Sequence, residues 1–296
     1  MIRMTFANQL RAELAALPIK PNCCRRAMAE GFLLGASVDP VTKQILLRMT
    51  QAESADIACE ILTRQYGKAP EVYAHGQCGH SYWDLSLASP ACLKYMRTLD
   101  ADAETLPFHF GCEACRSVFL RGVFLAVGTV NDPHRSFHLE FKLPESRSKL
   151  LAAFLLEMGY PSRRVKRGEV EGLYFKDGAT VEELLTVMGA SGSLFEVINT
   201  RIERDIRNNE NRATNCVARH IEKTIAAAQK QIEAINRLME TGKMDTLPEA
   251  LRETARQRYA NPDASLDELV RLHVPSISKS GLNHRLRKIV EAADEI

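Results

Sequence analysis

The chain has 296 residues and a formal net charge of only +2, so its overall charge does not indicate a nucleic-acid or other strongly charged partner. Hydrophobic residues account for 45% and charged residues for 26%, which excludes a disordered chain and is typical of a globular protein of two or three domains. No apolar run approaches the roughly 20 residues that cross a bilayer, and the amphipathic N-terminus lacks the features of a signal peptide, so we expect a cytoplasmic location and no membrane partner.

The first predicted element is a helix from Thr5 to Leu17. Apolar residues such as Phe6 and Leu10 recur along it at helical spacing. Thr5 is the predicted N-cap, and two prolines end the helix.

An internal repeat follows. The same offset of 91 residues separates Cys24 from Cys115 and Gly31 from Gly122. Each copy predicts a buried, almost entirely apolar helix of about four turns, on which small residues allow another backbone to come close. We therefore expect the two helices to pack on each other across a pseudo-twofold axis.

The hydrophobic period changes to two after each copy, which predicts half-buried strands at 44–49 and 136–143. In the second strand the predicted inner face comprises Phe137, Leu139, Phe141 and Leu143. Further helices are predicted at 54–66, 90–99, 146–158 and 180–188, and further strands around 71–73 and 173–175. Each half, residues 1–105 and residues 106–207, is therefore predicted to have the order αββαββα.

The polar segment 205–215 is interpreted as a hinge or a helix end before a new unit. From Cys216 to Glu240, apolar residues including Ile221, Ile225 and Ile235 keep the spacing of one long amphipathic helix. We expect this helix to pack within its own domain. Coiled-coil dimerisation is the alternative.

Residues 208–296 are predicted to form an all-α helix-turn-helix domain. Helices are expected at 247–259, with Tyr259 on the inner face, and then at 265–272 and 278–292. Ser265 and Glu268 have the spacing of a capping box, and Ser278 is the N-cap of the last helix. A short helix, a turn and a final helix are the arrangement that places a recognition helix in the major groove.

The last helix is predicted to contact DNA. Leu282, Leu286 and Ile289 form its inner face, while residues 269–290 contain five basic residues and no acid, which is the local clustering that phosphates require. The predicted contact residues are Lys279, Ser280, Gly281, Asn283, His284, Arg285, Arg287 and Lys288. Gly281 is expected to let the helix lie close to the DNA backbone. A solvated basic face is the alternative.

The eight cysteines are expected to be reduced thiols. Cys23 and Cys24 are adjacent, which is awkward for a mutual disulfide, whereas Cys112 and Cys115 have the spacing of half a zinc site or of a redox pair. The nearby candidates for a second half are irregularly spaced: His75, Cys78 and His80. A structural role is therefore preferred, with no metal or cofactor predicted, and metal or redox chemistry remains the alternative.

Segments 23–27, 119–133 and 278–289 resemble the WhiA family, and 221–235 is also similar to it. The resemblance spans nearly the whole chain. It implies an α+β protein in which a duplicated, degenerate LAGLIDADG-like homing-endonuclease body precedes an all-α helix-turn-helix domain. It further implies a sequence-specific DNA-binding regulator of Gram-positive bacteria, linked to cell division, chromosome segregation or sporulation.

In this fold each central helix ends near an acidic residue that binds a divalent metal. The resemblance places Ala36 and Val127 at these positions, so we predict no catalytic residue and no nuclease activity. Asp39 and Asp132 lie further on at unequal distances and are interpreted as residues of helix-ending turns. A metal-dependent endonuclease and a cell-division interaction protein that does not bind DNA are the alternatives.

The predicted partner is double-stranded DNA in the nucleoid, with another transcription factor or RNA polymerase as a further candidate and no small-molecule substrate. The body is a second candidate for DNA contact, because Arg48, His138 and Lys142 are expected on the polar face of its sheet. Glu140 on the same face argues against this role. A protein-interaction platform is equally consistent with the pattern.

Overall fold

A computed structural model describes residues 4–77, 80–101 and 106–295. The chain divides into two compact units, Met1–Arg204 and Asp205–Ile296, called the body and the C-terminal unit below. Within the described residues, every helix is either too short or too polar to span a lipid bilayer.

The body consists of two halves, which have the same order of elements from the second helix of the first half onwards. The first half contains α1 (Phe6–Ala16), α2 (Asn22–Leu34), β1 (Ser37–Val38), β2 (Ile45–Met49), α3 (Ala52–Tyr66), β3 (Glu71–Gln77), β4 (His80–Leu87) and α4 (Pro90–Leu99). The second half contains α5 (Ala114–Val127), β5 (Gly128–Val130), β6 (Leu139–Pro144), α6 (Glu145–Glu157), β7 (Arg163–Arg167), β8 (Val170–Phe175) and α7 (Gly178–Met188).

Each half forms one antiparallel four-stranded sheet, and the strand order is equivalent in the two: β1-β2-β4-β3 and β5-β6-β8-β7. From the central helix onwards, each half follows the predicted αββαββα order. The duplicated α+β architecture is therefore confirmed. The helix predicted before the first copy is also present as α1, with the Thr5 hydroxyl accepting a hydrogen bond from the Asn8 amide.

The two central helices, α2 and α5, pack through their glycines. A Cβ atom added at Gly122 would lie 2.6 Å from the backbone oxygen of Met28, and one added at Gly31 would lie 2.9 Å from the backbone nitrogen of Val123. Such distances leave no room for a side chain at either position. The predicted close approach of the two repeat-related helices is confirmed, and it holds the two halves together.

The strand pattern is confirmed in β2, where buried and exposed residues alternate, but differs in β6. Phe137 precedes β6 and is half-buried, and Glu140, predicted on the polar face, is only 4% exposed. Three basic side chains surround the Glu140 carboxylate, and this charge compensation makes its burial tolerable.

The break in the helix predicted at 205–215 is wrong, because α8 runs without interruption over Ser191–Glu240, although the second compact unit does begin at Asp205. Its C-terminal part packs into the C-terminal unit through Ala234, Ile235 and Leu238. Ile221 and Ile225, predicted on the same packed face, are 51% and 52% exposed. Packing within the domain therefore accounts for only the last turns of the predicted apolar face.

The C-terminal unit continues with a 3-10 turn at Lys243–Thr246, α9 (Glu249–Ala260), α10 (Leu266–Leu272) and α11 (Lys279–Asp294). Ser265 and Glu268 form the predicted capping box of α10. The inner face predicted for α11 is fully buried and packs with Leu269 of α10. The predicted order of a capped short helix, a turn and a final helix is thus confirmed.

One prediction for α9 is wrong, since Tyr259 is 48% exposed. Its neighbour Arg258 is buried instead, and Nη1 of Arg258 donates to the carbonyl oxygen of Ala264 at 2.7 Å. The helix is rotated so that this guanidinium ties α9 to the turn that precedes α10.

Candidate nucleic-acid interface

The start of α11 is fixed on α10 by side-chain contacts. Ser278 caps α11, its hydroxyl accepting a hydrogen bond from the Gly281 amide at 3.1 Å. The ammonium group of Lys279 contacts the carboxylate of Asp267, in the first turn of α10, at 2.7 Å. These contacts set the direction in which the outer face of α11 points.

Most of the predicted contact residues are accessible on that face. Six are exposed, and Gly281 and Arg285 are partly buried. The exposed residues are Lys279, Ser280, Asn283, His284, Arg287 and Lys288. The structure therefore brings the set together on one side of α11.

The cations of this set differ in their pairing. Lys279 pairs with Asp267, and Nε of Arg287 lies 3.4 Å from the carboxylate of Glu291. Arg285 and Lys288 have no hydrogen-bond or ion-pair partner among the described residues. The acid-free stretch of the sequence is thus flanked by two acids that neutralise part of its charge, and Arg285 and Lys288 remain unneutralised.

Gly281 does not open free space on the helix surface. A Cβ at this position would lie 3.1 Å from Cγ1 of Ile277 and 3.2 Å from Oγ of Ser278. The glycine accommodates the turn before α11. Its presence therefore has a structural reason that is independent of the expected close approach of a DNA backbone.

The polar face of the first sheet in the body is neutralised by an ion pair. Nε and Nη2 of Arg48 donate to the two carboxylate oxygens of Asp84 at 2.7 and 2.9 Å. The same guanidinium lies over the ring of Tyr82, 4.4 Å from its centroid. Hydrogen bonding from Arg48 lowers the pKa of Asp84, so the pair is charged at neutral pH.

The polar face of the second sheet is centred on Glu140. Nζ of Lys142 and Nη1 of Arg167 lie 3.8 and 3.5 Å from its carboxylate oxygens, and Nε2 of His138 lies at 3.7 Å. The basic strand β7, which supplies Arg167, was missed in the sequence although four of its five residues are basic. Arg163 and Arg164 of this strand have no ion-pair partner among the described residues.

Arginines from two other helices, α6 and α1, contact the backbone at the ends of the central helices. Nη1 of Arg147 donates to the carbonyl oxygen of Ala36, and its Nε and Nη2 contact the Asp100 carboxylate at 3.0 and 3.1 Å. Nη2 of Arg11 donates to the carbonyl oxygen of Gly128 at 2.6 Å. Burial lowers the pKa of Arg11, but an arginine keeps its proton at any physiological pH.

Asp39 and Asp132 lie in turns between strands rather than in helix-ending turns, which corrects the sequence interpretation. The Asp39 carboxylate accepts hydrogen bonds from the amides of Val41 and Thr42, and these bonds lower its pKa. The Asp132 carboxylate accepts one from the amide of His134. Both acids thus serve the turns in which they lie.

The four cysteines near the helix starts come together, which the sequence interpretation did not foresee. Sγ of Cys112 lies 3.7 Å from that of Cys23 and 3.5 Å from those of Cys24 and Cys115. Hydrogen bonds from the thiols of Cys115, Cys24 and Cys23 lower the pKa of the Cys112 thiol to about 7.

The repeat contained the signal for this cluster, because Cys24 and Cys115 occupy equivalent positions on helices that pack together. The other candidates for a second half-site do not join them. His75 stacks on Tyr82, and Cys78 and the side chain of His80 lie outside the described residues.

Comparison with known proteins gives a consistent result over the whole chain. Residues 116–207 match the model of the WhiA LAGLIDADG-like domain, and residues 211–293 match that of the WhiA C-terminal HTH domain. A protein of Ruminiclostridium cellulolyticum is 32% identical over 99% of this chain and 98% of its own length. One of Caldicellulosiruptor saccharolyticus is 30% identical over 99% and 96%. The chain belongs to the WhiA family.

Both of these WhiA family members carry the name "Probable cell division protein WhiA". The crystal structure of full-length WhiA from Thermatoga maritima superimposes with a TM-score of 0.58 at 21% identity, covering 99% of both chains. The N-terminal LAGLIDADG domain of WhiA gives a TM-score of 0.50 at 19% identity over 64% of this chain and 92% of that one. The fold is therefore a LAGLIDADG-like body followed by a helix-turn-helix unit.

Proposed function

We propose that this WhiA family member is a sequence-specific DNA-binding protein that regulates transcription in connection with cell division. Residues 208–296 are its DNA-binding domain and α11 is the recognition helix. Chromosome segregation and sporulation are further processes in which such a regulator acts. Another transcription factor or RNA polymerase is the proposed protein partner at the promoter.

The observation that carries the proposal is the free charge on a helix whose orientation is fixed. Arg285 and Lys288 have no partner among the described residues, so they can neutralise phosphates without breaking an internal ion pair. Asn283 is exposed on the same helix, and an asparagine can read adenine through two hydrogen bonds in the major groove. Groups for phosphate contact and for base reading are thus both exposed on α11.

The body, in this proposal, does not cleave DNA. Ala36 and Val127 occupy the positions of the metal-binding acids, and neither side chain can bind a cation. The guanidinium groups of Arg147 and Arg11 sit at the carbonyl oxygens that end the two helices. Their fixed positive charge opposes a divalent cation there. Incubation of plasmid DNA with the protein and Mg²⁺ is expected to leave the plasmid uncut, and specific cleavage would contradict this part of the proposal.

The DNA contact is tested by fluorescence anisotropy with genomic promoter fragments at two salt concentrations. The wild type is compared with the double variant Arg285→Ala/Lys288→Ala, which removes the two unpaired cations of α11, and with Arg48→Ala/Lys142→Ala, which removes two cations from the body. The α11 variant is expected to bind about 10- to 100-fold more weakly, with the salt slope reduced by up to about 1.8. The body variant is expected to bind as the wild type does.

Other outcomes reassign the interface. Binding that survives the α11 variant and falls in the body variant would move the contact to the sheets of the body. Equal affinity for promoter and unrelated fragments would remove sequence specificity from the proposal. No binding at either salt concentration would contradict DNA binding and leave a protein partner as the target of α11.

A further inference from the structure

Four cysteines from the two halves of the body meet where the central helices begin. Cys23 and Cys24 lie in the first turn of α2, Cys115 lies in the first turn of α5, and Cys112 lies just before α5. All four Sγ atoms lie within 4.8 Å of one another. These cysteines are free thiols, and the DNA-binding function proposed above makes no use of them.

The spacing of the sulfur atoms is that of a single tetrahedral ion. Ligands at a Zn–S distance of about 2.3 Å in a tetrahedron lie about 3.8 Å apart. The hydrogen-bonded pairs of the cluster have Sγ–Sγ distances of 3.7 Å for Cys23 and Cys112, 3.5 Å for Cys24 and Cys112, 3.9 Å for Cys24 and Cys115, and 3.5 Å for Cys112 and Cys115. Four thiols at these distances match the size and ligand number of a closed metal site.

The backbone is arranged to bring the second pair of sulfurs onto the first. Gly111 lies beside Cys23, and a Cβ added to this glycine would lie 2.9 Å from the Cβ of Cys23. Only a glycine lets the chain before α5 pass this close to the start of α2. The crowding of the sulfurs thus follows from a specific backbone path and not from rotamer choice alone.

Among the described residues, the buried Arg121 near this cluster has no ion-pair partner. Nε and Nη2 of Arg121 are buried without a hydrogen-bond partner among the described residues. Burial lowers the pKa of Arg121, and a negative charge on Cys24 acts on it in the opposite direction. Four thiolates around a divalent ion carry two net negative charges, which would compensate this arginine and would themselves be favoured by the positive ends of α2 and α5.

We propose that Cys23, Cys24, Cys112 and Cys115 bind one zinc ion as four thiolate ligands. The ion joins the starts of the two central helices and so adds a second attachment between the halves, beside the glycine contact. Each bound thiol releases its proton to solvent on metal binding. Cys112 is exposed, so the ion can enter from solvent on that side. Cys24 and Cys115 are buried and shield the ion on the inner side.

Zinc is the assignment because the site is closed and compact. Four protein ligands leave no open position for a substrate, which is the pattern of structural rather than catalytic zinc. An iron–sulfur cluster places several irons and sulfides between its cysteines and needs a wider ring of thiolates than these distances allow.

The test is metal analysis of the full-length protein purified under reducing conditions without chelator. About one zinc per chain is expected by inductively coupled plasma mass spectrometry. After chelation, Co²⁺ is expected to restore the site and to give the visible bands of tetrahedral cobalt and the ultraviolet charge-transfer band of thiolate ligands. Absence of both zinc and the cobalt spectrum in the reduced protein would overturn the proposal, as would bound iron in place of zinc.

Variants separate a metal site from a merely packed cluster. Cys112→Ser changes an exposed side chain and is expected to abolish stoichiometric zinc and to lower Tm by roughly 10 °C. Cys112→His retains a zinc ligand and is expected to keep the metal with a weaker thiolate charge-transfer band. Cys216 is an exposed cysteine outside the cluster, so Cys216→Ser is the matched control. Its zinc content and Tm are expected to equal those of the wild type.

Two results with these variants count against the site. Unchanged zinc content in Cys112→Ser would show that the metal is held elsewhere. A mass lower by two hydrogens per linked pair in the protein purified without reductant, together with no metal under either condition, would assign the cluster to disulfide chemistry instead.

Discussion

The sheets of the body and the outer face of α11 both present basic side chains, but they use them differently. On the sheets, Arg48 is held by Asp84, while Lys142 and Arg167 share Glu140. On α11, Arg285 and Lys288 are unpaired among the described residues. The two surfaces therefore differ in the pairing of their cations and not in whether they carry them.

The energetic reason lies in competition for the same charge. A cation that already contacts a carboxylate must give up that contact, or keep a repelling acid near the phosphate, when DNA arrives. An unpaired cation releases only counterions and water. This difference supports the proposal that α11 positions the DNA. On the sheets of the body most cations pair with acids, and the two unpaired arginines of β7 depart from this pattern.

The largest expected effect is a loss of stability that is confined to the body. Gly122→Val places a branched side chain where only 2.6 Å separates a Cβ from the Met28 oxygen, so we expect the body to lose about 3 kcal/mol or more of stability. Trp83, the single tryptophan, lies in β4 of the body, so its fluorescence during denaturation reports on the body. The matched change Gly159→Ala removes a positive-φ glycine in open space and should cost less.

The next largest effect is expected from removing Arg147, whose guanidinium donates hydrogen bonds to backbone carbonyl oxygens. Arg147→Ala leaves the carbonyl oxygens of Leu34 and Ala36 without their buried donor, and we expect a loss of about 2–3 kcal/mol. Arg97→Ala, on the exposed side of α4, is the control. DNA affinity measured below the denaturation range should be unchanged in both, and a weakened affinity in Arg147→Ala would make the body part of the interface.

A smaller effect is expected from removing a cation of α11, and it concerns DNA binding and not stability. Lys288→Ala should leave Tm unchanged, because the side chain has no partner among the described residues, but should lower the salt slope of DNA binding by about 0.9. The corresponding change in the body, Lys142→Ala, removes one of the charges that compensate buried Glu140. It should lower stability and leave the salt slope as it was, and the reverse pattern would invert the comparison.

The smallest effect is a change in pH dependence. Arg48 lowers the pKa of Asp84 below its unfolded value, so the pair adds stability above that unfolded value, and this stability is lost as pH falls through the folded pKa. Arg48→Ala should raise the Asp84 pKa, as followed by NMR titration of the carboxyl. The effect on stability is small because both side chains are partly exposed. An unshifted Asp84 pKa would mean that the pair is not formed in solution.

Features encoded by local spacing could be predicted from the sequence. The capping box of α10, the buried face of α11 and the glycines of the central helices all depend on residues a few positions apart or on the 91-residue repeat. The helix end predicted at 205–215 is wrong because a polar stretch indicates only that its residues are exposed to water. It does not report the end of a helix, and α8 contains this stretch in full.

Features created by distant residues could not be predicted in the same way. Glu140 is buried because Arg167 arrives from another strand, and alternation within β6 carries no information about that. The pairing of Lys279 with Asp267 depends on the turn between two helices. The cysteine cluster joins residues 88 positions apart. The repeat relates Cys24 to Cys115, but the approach of Cys112 to Cys23 depends on the backbone path at Gly111, which the repeat does not encode.

Arg147 and Arg11 also mean that one substitution is not enough to create a cation site at these helix ends. An acid introduced at position 36 or 127 would place a carboxylate beside a guanidinium that already contacts the backbone there. The new acid would form a salt bridge there instead of a cation site. Replacing the arginine first would leave buried carbonyls without a donor and cost stability. Each order of two substitutions therefore passes through an intermediate that has no cation site, so a cation site at either helix end needs at least two simultaneous changes.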